Sequence, residues 1–295
     1  MKSASLLLLL VHLTFTGISR GQSVEAPTTE PRQPAASASD AGALEILKKC
    51  AELQTPGGTA PEVETFQSEL QVTLWEDDQG NRVAKPRSGT IVQYWKRQGE
   101  LTQYHRQLEI TGSEANTSLI SDGRGFWLQK SKEPARNLVI DANLSKDLEN
   151  LKGEIRRTSE LMRSFFVANL ITADTKFTLL HSQDLLNLPN ERREVKVFNI
   201  LRECPKEEPM VLTIGTEDYR LYQVDLGPRN DGPSRETFRF EHHQTVTDGG
   251  GRELLVPCVV QFFRGGQEIL VARADRPHKI QFNTKILAKV FRPRP

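Results

Sequence analysis

Chemistry in this chain would have to come from a small set of side chains. The six histidines are His12, His105, His181, His242, His243 and His278. Only His242 and His243 are close, and neighbours on a strand point to opposite faces, so they cannot hold one ion together without a bulge. No His-Glu-x-x-His or Cys-x-x-Cys spacing occurs, so the common metal signatures are missing and no cofactor is expected. A Gly-x-Ser-x-Gly elbow for acyl transfer is also missing. The adjacent carboxylates Asp77/Asp78 and Glu207/Glu208 sit in polar stretches, whereas acid and base work needs two environments facing one gap. The glycine clusters "DGGGR" and "FRGGQ" precede strand rather than helix, and read as turns instead of phosphate loops. "NERREVK", residues 190–196, is mixed in sign and reads as a solvated strand edge. With no catalytic constellation, a non-enzymatic protein is expected.

The elements that would position these residues begin after a leader. "MKSASLLLLLVHLTFTGISRG" has a basic start, an apolar run from Leu6 to Phe15, and small residues Ser19 and Gly21 before a plausible cut. It reads as a signal peptide over 1–21, and its apolar run is short for a membrane span. No Cys lies near the cut, so an unanchored, exported protein is expected. Residues 22–40 are rich in Pro, Ala, Ser and Thr, with too little apolar surface to offset ordering entropy, and read as a disordered tether. Residues 41–295 contain no comparable break and read as one domain. The chain carries 39 basic and 38 acidic residues. That balance gives no electrostatic case for nucleic acid or an anionic membrane.

Asp40 caps a short amphipathic helix in "DAGALEILKKCAEL". From Phe66, apolar residues alternate through Leu70, Val72 and Leu74, which predicts a half-buried strand. A polar loop over "EDDQGNRVAKPRSG" leads to strands in "TIVQYWK" and "ELTQYHRQLEI", then to "SLISDGRGFWLQ", a hairpin turning on Asp122-Gly123. From Ser145, apolar residues recur every three or four positions through Leu148, Leu151, Ile155, Met162, Phe165, Phe166 and Leu170. That spacing predicts a helix broken at Gly153. "HSQDLLNLP" is read as a further helical turn, and seven strands follow from Glu194 onward. Strands, a helical insert and more strands predict an α+β fold, an antiparallel sheet with helices on one face. Of the three cysteines, Cys204 and Cys258 are the expected pair and Cys50 a buried apolar residue. Asn116 and Asn143 fit glycosylation acceptors in a eukaryotic secretory route.

"SLISDGRGFWLQ" resembles the "VSDGKTLWFY" signature of the LolA-like lipoprotein carriers. The order of the neighbouring segments is also similar: an N-terminal helix, "TFQSELQVTL", "GTIVQYWKR", then the hairpin. "LLVPCVVQFF" and "IQFNTKILAKVFRPRP" resemble strand and tail motifs of the wider lipoprotein-sorting group. The resemblance implies a single-domain, curved antiparallel half-barrel whose concave side is covered by helices. It implies a periplasmic carrier that shields acyl chains of lipoproteins and passes them toward the outer membrane. An inner-membrane extraction complex and an outer-membrane acceptor would be its partners, and it would act as a monomer. The alternative on the same scaffold is a lipid- or lipoprotein-sensing regulator. Leu70, Val72, Trp95, Leu119, Phe126, Trp127, Phe165 and Phe166 are the expected lining, although Phe126 and Trp127, being adjacent, cannot both face one cavity. The family's lid-closing Arg corresponds by motif to Arg97, but Gln98 stands where the family has Pro, and Gly89 lies two residues farther away.

Overall fold

The computed structural model describes residues 39–293 except 60–61, 77–81, 100, 114–115, 132, 142–143, 165, 206 and 228–235. Within its helices and strands, the side chains of 146, 150, 156–157, 160–164 and 181–183 are also outside the description. The leader and nearly all of the tether therefore lie outside it, as do Asn143 and Phe165.

Helix α1, Ala41–Gln54, begins at Asp40, whose carboxylate accepts from the Gly42 N–H at 2.8 Å, and buries Ala43, Leu47 and Cys50. Six strands follow: β1 (Thr65–Glu76), β2 (Arg82–Gln98), β3 (Leu101–Ile110), β4 (Thr117–Ser121), β5 (Phe126–Lys130) and the short β6 (Arg136–Asn137). Helix α2, Ser145–Ser164, is followed by a 3-10 turn at 167–170. The second run of strands is β7 (Lys176–Leu188), β8 (Arg193–Glu203), β9 (Met210–Gly215), β10 (Leu221–Leu226), β11 (Glu236–Thr247), β12 (Glu253–Arg264), β13 (Gln267–Arg273) and β14 (Ile280–Phe282).

All fourteen strands form one antiparallel sheet, ordered β6-β5-β4-β3-β2-β1-β13-β12-β11-β10-β9-β8-β7, with β14 also on β1. The two ends of this path do not pair, so the sheet is open. Its two runs of strands meet at β1, where Leu74 pairs with Leu270 of β13 and Phe66 with Phe282 of β14. One apolar cluster gathers α1 with residues from β3 (Leu108, Ile110) to β8 (Ile200). Flat, those strands would lie ~38 Å apart at ~4.8 Å per strand, yet they collect around a helix ~21 Å long, so the sheet curls. A second cluster lies under α2 and takes in Phe66, Trp95, Tyr104, Leu119 and Leu128.

Four expectations need correction. α2 runs unbroken through Gly153. A glycine costs a helix ~1 kcal/mol, and burial of Leu151 beside it holds the turn. "HSQDLLNLP" is strand, the far half of β7, because eleven residues of β8 pair along β7. Arg82–Ser88 belongs to β2 rather than to a loop, paired with β1 up to Glu76. Cys204 and Cys258 are free thiols. Cys204 follows β8 and Cys258 lies on β12, four strand spacings or ~19 Å apart, whereas a disulfide needs Cα atoms within ~7 Å. Cys50 is fully buried, and burial pushes its thiol pKa up to about 12.

Candidate functional site

Cross-strand registers define what faces the helices. Phe282, Phe66, Trp95, Tyr104, Ser121 and Phe126 form one row across β14, β1, β2, β3, β4 and β5. Two residues along each strand, Ser68, Gln93, Arg106, Leu119 and Leu128 form the next row. Leu70, Ile91 and Leu108 follow, then Val72, Gly89 and Ile110. Because side chains alternate along a strand, these rows share the covered face. The Trp95, Leu119, Val72 and Phe166 side chains are buried there, with Leu70 and Phe126 partly buried against the same clusters. Phe166 packs on Phe282 with ring centroids 5.8 Å apart.

Trp127 does not belong to this set. It pairs with Ile120 one residue out of phase, so it lies on the opposite face, and its indole crosses Gly125, where a Cβ would stand 2.3 Å from the ring. The hairpin before it turns on Gly123, at φ +95°, while the Asp122 carboxylate accepts from the N–H groups of Arg124 and Gly125.

The second row carries charge on an otherwise apolar face. Arg106 is 1% exposed and its Nε lies 3.2 Å from an Oε1 of Glu154 on α2, itself 5% exposed. The Tyr104 hydroxyl donates to the same carboxylate. Gln93 Nε2 donates to Tyr104 at 3.0 Å and to the Thr158 hydroxyl at 3.2 Å, and the Trp95 indole N–H donates to Ser159 at 3.0 Å. Thr158 lies four residues after Glu154, so the two share one side of α2, and Ser159 is the next residue along. Burial raises the Tyr104 pKa well above a phenol's usual value, and the Glu154 charge raises it further, so this hydroxyl stays a donor. Seven side chains from two adjacent strands and one helix thus fasten α2 over the apolar rows.

Arg97 takes no part. Its side chain is 56% exposed and pairs at 3.6 Å with the equally open Glu62. Arg97 pairs with Thr102, near the outer end of the β2–β3 hairpin, and among the described residues it is Arg106 that makes the ion pair to the helix. The signal for Arg106 was its spacing: it falls in phase with Tyr104, Leu108 and Ile110, the buried residues of β3. Among the described residues, no group of three or more His, Cys, Asp or Glu could hold a metal ion.

No family model and no curated protein matches this chain. Among solved structures, it is similar to an outer membrane lipoprotein-sorting protein domain from Vibrio parahaemolyticus, at 10% identity and TM-score 0.43, covering 85% of this chain and 96% of that one. It is also similar to a LolA superfamily protein from Nitrosomonas europaea, at 15% identity and TM-score 0.38, covering 85% and 97%. A structure of MucB gives 8% identity and TM-score 0.23, covering 82% and 98%. At these scores the likeness carries no argument about activity, and the open antiparallel sheet with helices on one face rests on the registers above.

Proposed function

We propose that this protein is a non-enzymatic carrier that shelters acyl chains, those of lipoproteins or related lipidated molecules, between α2 and the apolar rows of β1–β5. The observation that carries the reading is the polar fastening of α2. An apolar face sealed by an apolar helix would be simple core. Here the helix is held at Glu154, Thr158 and Ser159, groups that water can satisfy once α2 lifts. Each such hydrogen bond contributes only ~0.5–1.5 kcal/mol net, beside the apolar contacts of Leu148, Leu151 and Ile155 on the same helix. Lifting it would bare Phe66, Trp95, Leu119, Phe126 and Leu128 as one surface. The need is large on the ligand's side: exposing a chain of ~15 methylenes costs on the order of 12 kcal/mol at ~0.8 kcal/mol each.

The LolA-like segments around the "SDG" hairpin support lipoproteins as the cargo class. The leader of residues 1–21 supports export to the periplasm, and an inner-membrane donor and outer-membrane acceptor complete the route. Among the described residues, no helix is long and apolar enough to cross a membrane. Titrating the mature protein with a fluorescent triacylated peptide tests the reading. Saturable binding is expected, weakened by Trp95→Ala and unchanged by Trp127→Ala, whose side chain lies on the other face. No saturable binding, or equal loss from both substitutions, would overturn it.

A further inference from the structure

A polar cleft lies in the other half of the sheet, where the β7–β8 hairpin loop and the β9–β10 turn meet β11. It is open and has a volume of about 390 Å³, and its walls include Arg192, Arg193, Arg220, His242, His243 and Gln244. The carboxylates around it are already satisfied. Glu241 is fully buried and accepts from the N–H groups of Asn190 at 2.8 Å and Glu191 at 3.1 Å, and from the Asn190 amide at 3.0 Å. Glu191 accepts from the His242 N–H at 2.6 Å and pairs with Arg193 Nε at 2.6 Å. Asp218 accepts from the Tyr222 hydroxyl and from the Arg220 N–H at 3.2 Å.

The cations are not matched in the same way. Arg193 is committed to Glu191 and to Tyr222, but the exposed Arg192 guanidinium has no hydrogen-bond or ion partner among the described residues. Arg220 Nε is buried without a hydrogen bond, its nearest carboxylate oxygen on Asp218 at 3.7 Å. Both histidines give their Nε2 proton to a carbonyl, His242 to Asn190 and His243 to Leu221, each at 3.0 Å. A carbonyl only accepts, so in a neutral ring Nδ1 is left as an acceptor, and that of His243 is buried with no partner. Burial holds the His243 pKa down to about 4, which keeps that ring neutral.

The backbone is bent toward this place as well. Arg192 and His242 both sit in the left-handed region, at φ +53°. Non-glycine residues adopt it at a cost of order 1 kcal/mol or more, and such residues concentrate at ligand sites. In a regular strand His242 and His243 would point apart, yet both line the cleft.

We propose that this cleft binds a phosphate ester carried on a hydroxylated body. Arg192 and Arg220 take the phosphoryl oxygens, guanidinium forks being suited to that geometry. A ligand hydroxyl meets His242 Nδ1, which no described group engages, and the Gln244 amide meets a second. The volume exceeds that of bare phosphate and fits a small polar molecule, and the lining excludes an acyl chain. The phosphoglycerol group satisfies this chemistry, whether free in solution or as the headgroup of a lipid. The site stands apart from the apolar rows and does not rest on the carrier reading, so either can fail alone.

The test uses full-length mature protein in two arms. One titrates glycerol 1-phosphate and inorganic phosphate calorimetrically. The other measures sedimentation with phosphatidylcholine vesicles with and without phosphatidylglycerol. Saturable binding of glycerol 1-phosphate is expected, at least tenfold weaker in the Arg192→Gln/Arg220→Gln variant with an unchanged melting temperature. Gln244→Ala should reduce the preference for the ester over inorganic phosphate. Binding of the free ester alone identifies a soluble ligand; phosphatidylglycerol-dependent sedimentation that glycerol 1-phosphate competes away identifies a headgroup. No binding in either arm, or binding that the double substitution leaves intact, overturns the proposal.

Discussion

The fastening of α2 and the cleft beside β11 use the same kinds of residue in opposite ways. Beneath α2, Arg106 is buried against Glu154, whose carboxylate also accepts from the Tyr104 hydroxyl, which in turn accepts from Gln93. At the cleft, Glu241 and Glu191 are engaged while Arg192 and Arg220 keep donor capacity. Matched charge out of water gives position. Unmatched charge at a surface gives affinity for something that is not part of the chain. The difference separates the proposed cover from the proposed docking site without reference to any relative.

The contrast is broken most severely at Glu154. Glu154→Leu leaves Arg106 buried and unanswered, which should cost ~3–5 kcal/mol, read as a fall in the denaturation midpoint. Arg106→Leu/Glu154→Leu should restore most of that loss; if it does not, the pair is more than a matched charge. Next is pH. The His243 pKa lies near 4 in the folded protein and near 6.5 when unfolded, so the unfolded chain binds the proton first on acidification. Stability is full above pH ~6.5 and should fall by up to about 3 kcal/mol as pH drops to ~4. His243→Gln should flatten that part of the profile. Trp95→Phe removes the hydrogen bond to Ser159 and part of a buried ring, and should cost ~1–2 kcal/mol, while proteolysis within α2 speeds up. Least of all, Arg97→Ala should change stability by under ~0.5 kcal/mol, since its pair with Glu62 is open to solvent.

How far the sequence reached differs between the two regions. Alternation in Phe66–Leu74 and around Tyr104 marks strands that each have one buried face, and the 3.6-residue spacing after Ser145 marks α2. Those are local signals and they locate the covered face, including the opposition of Phe126 and Trp127. Arg106 shared the alternation but, being charged, was not read as buried; only the partner on α2 makes that burial tolerable. β7 looked helical because Leu185, Leu186 and Leu188 are dense, and pairing with β8 overrode the local preference. The cleft was invisible. Arg192 and His242 lie about fifty residues apart, and the left-handed turns that bring them together leave no mark when neither residue is glycine. "NERREVK" was read as solvent-facing charge, which holds for Arg192 and not for Glu191, whose carboxylate anchors the His242 backbone.

The seam at β1 has a kinetic consequence. β1 must wait for β13 and β14, and the pairing of Leu74 with Leu270 joins residues roughly 200 apart in the chain. Loop closure over that distance has to precede its reward, which places the chain among slow, high-contact-order folders. The middle of the sheet therefore completes only when the last thirty or so residues arrive, and a chain shortened before Ile280 would leave Phe66 and Ser68 as an open edge. A polypeptide that stays unfolded until its end emerges is also one that can be threaded through a narrow pore before it collapses.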